Sequence, residues 1–309
     1  LLVLIVSSTT NKLLPFLPMP LIQILLGIGL GLCLPNNQYH LDTELFLALV
    51  IGPLLFREAQ EADITSILKH WRIVLYLIFP VIFISALSMG GLAHVLWASL
   101  PLAACVAVGA ALGPTDLVAF ASLSQRFSFP KRVSNILKGE GLLNDASGLV
   151  AFRMALIAWT TGTFSLTQAG TSLAISIVGG FAVGLITALI NRFLHSFLLS
   201  VRATDIASEL LLELSLPLLT FFIAEELHVS GIIAVVVAGI LKASRFKKIN
   251  LLEAQVDTVT ETVWQTVTFM LNGSVFVILG MELEMIAEPI LKSAFYNKVL
   301  LLLSVFLLT

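Results

Sequence analysis

Residues 136–159 read ILKGEGLLNDASGLVAFRMALIAW. The run is long enough to cross a bilayer, which takes about 20 mainly apolar residues in a helix. Yet its interior carries Glu140, Asp145 and Arg153. An ionisable group in the hydrocarbon core costs at least ~2.5–3.5 kcal/mol on insertion scales, so a chain that keeps one there is usually using it. Glu140 and Asn144 are four residues apart and share a helix face, and Gly148 and Ala151 continue that stripe. Small residues on the stripe let a neighbouring backbone come close.

The rest of the chain has the same character. Of its 309 residues, 58% are hydrophobic and 12% charged, half the roughly 25% charged residues of a soluble domain. The class is an all-α polytopic membrane protein. Eleven apolar segments are expected, at 1–10, 17–34, 44–57, 72–92, 98–124, 136–159, 172–191, 208–224, 230–243, 264–281 and 293–309. Together they make a single transmembrane transporter domain over 1–309. The chain opens and closes inside apolar runs, so truncation at both ends is expected. The short 44–57 run, with Gly52-Pro53, and the 230–243 run fit transporters, where broken helices line a polar cavity.

Charge sets the orientation. Fourteen of the seventeen basic residues fall on one side of these segments, in clusters such as Arg57-Lys69-Arg72 and Lys242-Arg245-Lys247-Lys248. The opposite loops carry Asp42, Glu225, Glu226, Glu282, Glu284 and Glu288, with Lys292 and Lys298 only at the start of the last segment. The basic side is expected to be cytoplasmic, in the plasma or inner membrane. The stretches 58–70 and 249–263 carry charges at helical spacing and are expected to be interfacial linker helices. Trp71, Trp97, Trp159 and Trp264 stand at segment ends, the aromatic-belt position. Cys33 and Cys105 lie in apolar runs and read as small buried hydrophobes. The five histidines share no metal spacing and sit near loops or segment ends. A net charge of −2 gives no case for nucleic acid. No catalytic triad, phosphate loop or cofactor motif is present, so neither an enzyme nor a cofactor is expected.

A second stretch completes the chemistry. Gly113-Pro114-Thr115-Asp116 interrupts the segment before the Asp145 helix. Proline removes an amide donor and breaks a helix interior. Freed carbonyls and the Thr115 hydroxyl are hard oxygen ligands for a small cation, and broken helix ends add their dipoles. Asp116 has two open readings, a ligand or a helix N-cap; Glu140 likewise is a ligand or a structural ion-pair partner. Asn272-Gly273-Ser274, inside 264–281, is the expected counterpart break in a second repeat. A carboxylate in low dielectric seeks neutralisation, by a proton or by a bound cation. A site that takes either, never both, gives obligatory exchange once access alternates. One such group, Asp145, gives one-for-one, electroneutral exchange.

The residues also resemble a known family. Gly139-Glu140-Gly141-Leu142-Leu143-Asn144-Asp145 is similar to the E-S-L-L-N-D signature of monovalent cation–proton antiporters, in their sodium/proton exchanger branch. Pro114-Thr115-Asp116 resembles that family's P-T-D, and Gly52-Pro53-Leu54-Leu55-Phe56 its P-P-L-L-F helix. Val229 to Ala234 and Val275 to Gly280 resemble two later helices. The resemblance implies an inverted-repeat fold with two broken, crossing helices in the core, a homodimer, and Na⁺/H⁺ exchange serving pH homeostasis, with Li⁺ or K⁺ as alternative cations. It makes Asp145 the ion- and proton-binding carboxylate, Asn144 its partner, Thr115 and Asp116 lining residues, and Glu140 a supporting carboxylate. Gly141 stands where a serine is common, which removes a hydroxyl ligand and bears on Na⁺ over K⁺ preference. The family's buried arginine belongs to a later helix, and Arg153 is not at its position.

Other classes compete. A K⁺/H⁺ exchanger or another proton-coupled carrier shares the same physics. An intramembrane aspartyl protease would use Asp116 and Asp145 as a dyad sharing one proton. Thr115 stands where that motif needs glycine, and Asp145 follows asparagine rather than tyrosine. A non-transporting scaffold leaves the buried carboxylates unexplained.

Overall fold

The computed structural model describes residues 1–14, 16–33, 42–62, 69, 71–114, 129–162, 166–201, 205–243 and 251–291. Among these every regular element is helical. They are α1 (Leu2–Leu13), α2 (Met19–Cys33), α3 (Thr43–Phe46 and Gly52–Glu61, joined by the π turn Leu47–Ile51) and α4 (Trp71–Tyr76 and Ile82–Leu96, joined by the π turn Leu77–Val81). Next come α5 (Leu102–Leu112), α6 (Lys131–Thr161), α7 (Leu166–Ser200), α8 (Ile206–Glu226), α9 (Gly231–Ala243) and α10 (Leu251–Leu291). The last expected segment, 293–309, lies outside the described residues, as do Arg245, Lys247 and Lys248.

The chemistry of proline explains both π turns. Pro53 follows the first and Pro80 sits within the second. A residue without N–H cannot close the i→i−4 ladder, and a wider turn absorbs the missing bond. The interruption expected around Gly52-Pro53 is therefore a π turn in a continuing helix, not a gap.

The surface is inverted relative to a soluble protein. Val95 is 79% exposed and Phe193 71%, while Asn144 and Thr220 are at 0%. Apolar side chains facing out and polar ones facing in are what a lipid solvent selects. The helical windows Ala174–Leu198, Ile206–Glu226 and Thr258–Leu283 are each long and apolar enough to cross a membrane. Shorter apolar helices are Met19–Cys33, Ile82–Leu96, Leu102–Leu112 and Gly231–Ala243.

The chain divides into two compact units, 1–54 with 249–309, and 55–248. In the first, α2 lies against α10. A Cβ on Gly27 would run into the Val277 carbonyl and come within 3.0 Å of Gly280 Cα; one on Gly280 would meet the Ile24 carbonyl. This backbone-on-backbone contact is how membrane helices pack when no hydrophobic force separates them from lipid.

Three expectations change here. The linker helix expected at 249–263 and the span expected at 264–281 are one unbroken helix of 41 residues, so Asn272-Gly273-Ser274 interrupts nothing. Glycine in a helix costs only about 1 kcal/mol, unlike proline. Gly273 is used for closeness instead: a Cβ there would meet Leu4 Cδ2 at 2.5 Å and Gln23 Nε2 at 2.9 Å. Ser274 spends its hydroxyl on the Met270 carbonyl at 2.8 Å. Trp97 and Trp264, expected at the headgroups, are 9% and 1% exposed and pack inside. Cys105 is buried as expected, whereas Cys33 is exposed.

In the second unit, α8 begins at a built cap. Asp205 accepts from the Ser208 backbone N–H at 2.9 Å. Hydrogen bonding to Ser208, side chain first and then backbone, holds the exposed Asp205 carboxyl below its ordinary value of 3.8. The folded group titrates lower than the unfolded one, so the cap's stabilisation is present above pH 3.8 and is lost as pH falls through the lower folded value. Amide-exchange protection at Ser208 should drop with acid in the wild type. It should stay level in Asp205→Asn, which still caps but cannot titrate.

Candidate functional site

The site is a contact between the end of α5 and the middle of α6. Helix α5 closes at Leu112 with Gly113 as its C-cap, and Pro114 follows. Pro114 brings no N–H and cannot bond back to the Ala110 carbonyl, so the helix cannot continue in register. Helix α5 thus ends at the Gly113-Pro114 pair that the sequence marked as an interruption. Thr115 and Asp116 come directly after it and lie outside the described residues.

Facing this break, α6 presents a stripe of small and polar residues. Glu140, Gly141, Asn144, Ser147, Gly148, Ala151 and Ala155 are all buried. Ala151 clusters with Ala86 of α4 and Ala110 of α5, sealed by Phe83 and Phe152. Gly148 is the point of closest approach: a Cβ there would collide with Pro114 Cγ and sit 3.1 Å from Pro114 Cδ. Overpacking of this kind costs about 1–3 kcal/mol. Gly148→Ala should therefore lower the unfolding temperature of the purified protein. Gly29→Ala, where a Cβ meets nothing within 4 Å, should not.

One turn from Gly148, Asn144 is fully buried and donates through Nδ2 to Glu140 Oε1 at 2.9 Å. Glu140 is 8% exposed. A buried hydrogen bond of this kind contributes about 0.5–1.5 kcal/mol net, and removing one partner costs about 1–3 kcal/mol. Ser147 donates to the Asn144 carbonyl at 2.8 Å. The position of Asp145 in α6, next to Asn144, is set by the helix; its side chain lies outside the described residues. The structure thus brings Glu140 and Asn144 together and sets the Pro114 break one turn beyond Asn144. Arg153, further along α6, is exposed.

Sequence reading passed over Ser147, although its spacing of three from Asn144 and seven from Glu140 puts it on the same face. Chemically, the stripe offers hard oxygen groups, a neutral amide and a carboxylate, shut from water by alanine, glycine and phenylalanine. That set suits a hard cation.

Residues 1–309 match the family described as sodium/hydrogen exchanger, transmembrane. A sodium, potassium, lithium and rubidium/H⁺ antiporter of Bacillus pumilus is 35% identical over 100% of this chain and 46% of its own length. The protein of that name in Bacillus subtilis is 36% identical over 91% of this chain and 42% of its own. A Na⁺/H⁺ antiporter of Halobacillus aidingensis is 30% identical, over 92% of this chain and 72% of its own. The chain spans about half the length of the two Bacillus relatives. Among solved structures, the sodium proton antiporter MjNhaP1 of Methanocaldococcus jannaschii superposes with a TM-score of 0.66 at 19% identity, covering 91% of this chain and 68% of that one. At that identity the likeness speaks for the fold alone. With its apolar outward-facing helices, the protein is an integral membrane protein, and the chain belongs to the sodium/hydrogen exchanger family.

Proposed function

We propose that this chain exchanges Na⁺ for H⁺ by alternating access, with Asp145 as the group that binds one or the other. The observation that carries the reading is the buried Glu140–Asn144 pair on α6, adjacent in sequence to Asp145 and one turn from the Pro114 break. Asn144 orients without adding charge, so the site keeps a net negative charge for one exchangeable counter-ion. Thr115 and Asp116 line the same site from the segment after the break. One neutralisable aspartate makes the exchange electroneutral.

The Bacillus relatives are named for four alkali cations. Gly141 offers no hydroxyl on the site-bearing helix. Both favour a tolerant site, in which Li⁺ and K⁺ compete with Na⁺. The protein works in the plasma or inner membrane as a homodimer of single transporter domains, with its basic loops cytoplasmic and its core built from inverted repeats with crossing helices. It is a carrier and not a hydrolase.

Proteoliposomes enclosing a pH dye provide the test. An imposed Na⁺ gradient should move protons, and Li⁺ and K⁺ gradients should do so at lower rates. Clamping the membrane potential should leave the Na⁺-driven flux unchanged. A Na⁺ gradient that moves no protons would sink the reading, and a flux that follows the potential would sink its electroneutral form.

A further inference from the structure

Among the described residues of the 55–248 unit, the buried polar side chains fall into two sets. Glu140, Asn144 and Ser147 on α6 form the first. The second ties together α3, α7, α8 and α9. Lys242, in the last turn of α9, sets Nζ 2.8 Å from Glu213 Oε2 on α8. It also donates to Asn191 Oδ1 on α7 at 3.2 Å. The other oxygen of Glu213 accepts from Gln60 Nε2 on α3 at 2.5 Å. Asn191 Nδ2 donates to the Leu212 carbonyl at 3.4 Å, and Gln60 Oε1 accepts from Arg57 Nη1 at 3.4 Å. Arg57 Nε is itself 2.7 Å from Glu61 Oε1. The Lys242 and Glu213 side chains are only 13% and 9% exposed.

We infer that Lys242 and Glu213 form an ion-paired clamp that holds these four helices together, and that neither takes up the transported cation or proton. Both Glu213 oxygens are filled by protein donors, and the lysine ammonium occupies the place a cation would need. The counter-ion is tethered to the chain, whereas at Asp145 it is exchangeable. The backbones meet closely around the clamp: a Cβ on Gly239 of α9 would stand 2.6 Å from the Phe56 carbonyl of α3. The seam between α7 and α8 continues on either side of it. Thr220 donates to Thr187 Oγ1 at 3.0 Å, and His195 Nε2 lies 3.0 Å from Glu209 Oε1. Removing one member of a buried pair strands a charge, while replacing both with apolar residues of similar volume is often neutral.

A double-mutant cycle on the detergent-purified protein tests the clamp, read by thermal unfolding, which needs no transport and so stands apart from the exchange reading. Glu213→Leu and Lys242→Met alone should each lower the unfolding temperature by several degrees or leave no folded protein. The paired variant should recover at least about half of that loss. In proteoliposomes the paired variant should keep the pH profile of exchange and a Na⁺ KM within about twofold of wild type. The clamp is refuted if the single variants unfold at the wild-type temperature, or if the pair is as unstable as the singles. A folded pair variant whose pH optimum moves by about a unit, or whose KM moves about tenfold, would make Glu213 a coupling group and overturn the inference.

Discussion

Asp145→Asn is expected to abolish exchange, with proton flux driven by a Na⁺ gradient falling at least ~100-fold while the protein folds and purifies as wild type. The substitution keeps size and shape and removes the charge. An asparagine has no proton to give up near neutral pH, and it cannot neutralise a bound cation. Stripping one partner from a buried charge pair costs about 3–5 kcal/mol, which is roughly two to nearly four orders of magnitude in cation binding. Folding should be spared, because a neutral amide in a membrane helix is cheaper than a carboxylate. Stopped-flow dye quenching in proteoliposomes measures the loss. A variant exchanging at the wild-type rate would remove Asp145 from the mechanism.

The second large effect is expected at Asn144. Asn144→Ala deletes the donor to Glu140 Oε1 and leaves that carboxylate short of a hydrogen bond in a buried place. Losing a hydrogen bond at a buried group costs about 1–3 kcal/mol, so the unfolding temperature should fall and the Na⁺ KM should rise about tenfold. Glu140→Gln separates the two readings of Glu140. Glutamine retains an oxygen for the Asn144 Nδ2 donor and keeps the local packing. If the charge of Glu140 supports the cation, KM rises in Glu140→Gln as well. If the carboxylate serves only to orient Asn144, KM stays near the wild-type value.

The outline of the fold was readable because lipid imposes a coarse rule on sequence: apolar runs of a given length are helices. The end of α5 at Gly113-Pro114 was readable for a similar reason, since proline's missing N–H acts locally whatever surrounds it. Asn272-Gly273-Ser274 shows the opposite case. Glycine permits a break without requiring one, and only the packing of α10 on Leu4 and Gln23 decides that the helix runs straight through. The Glu140–Asn144 pair followed from helical spacing within one element. The Glu213–Lys242 pair did not. Lys242 reads as a loop-side cation, and Glu213, in one apolar run with Glu209, was passed over; their meeting joins helices through tertiary contacts that no local spacing encodes. Trp97 and Trp264 were misplaced for the same reason: position near a segment end does not say which way a helix faces.

The central claim is that one buried site holds either a proton or a cation. Na⁺ binding to the purified protein, measured calorimetrically across a pH series with proton release recorded in parallel, tests it most directly. Direct competition predicts that apparent Na⁺ affinity weakens about tenfold per pH unit on the acid side, and that each ion bound in that range displaces about one proton. Na⁺ affinity that stays constant across the series, with no protons released, would contradict the account.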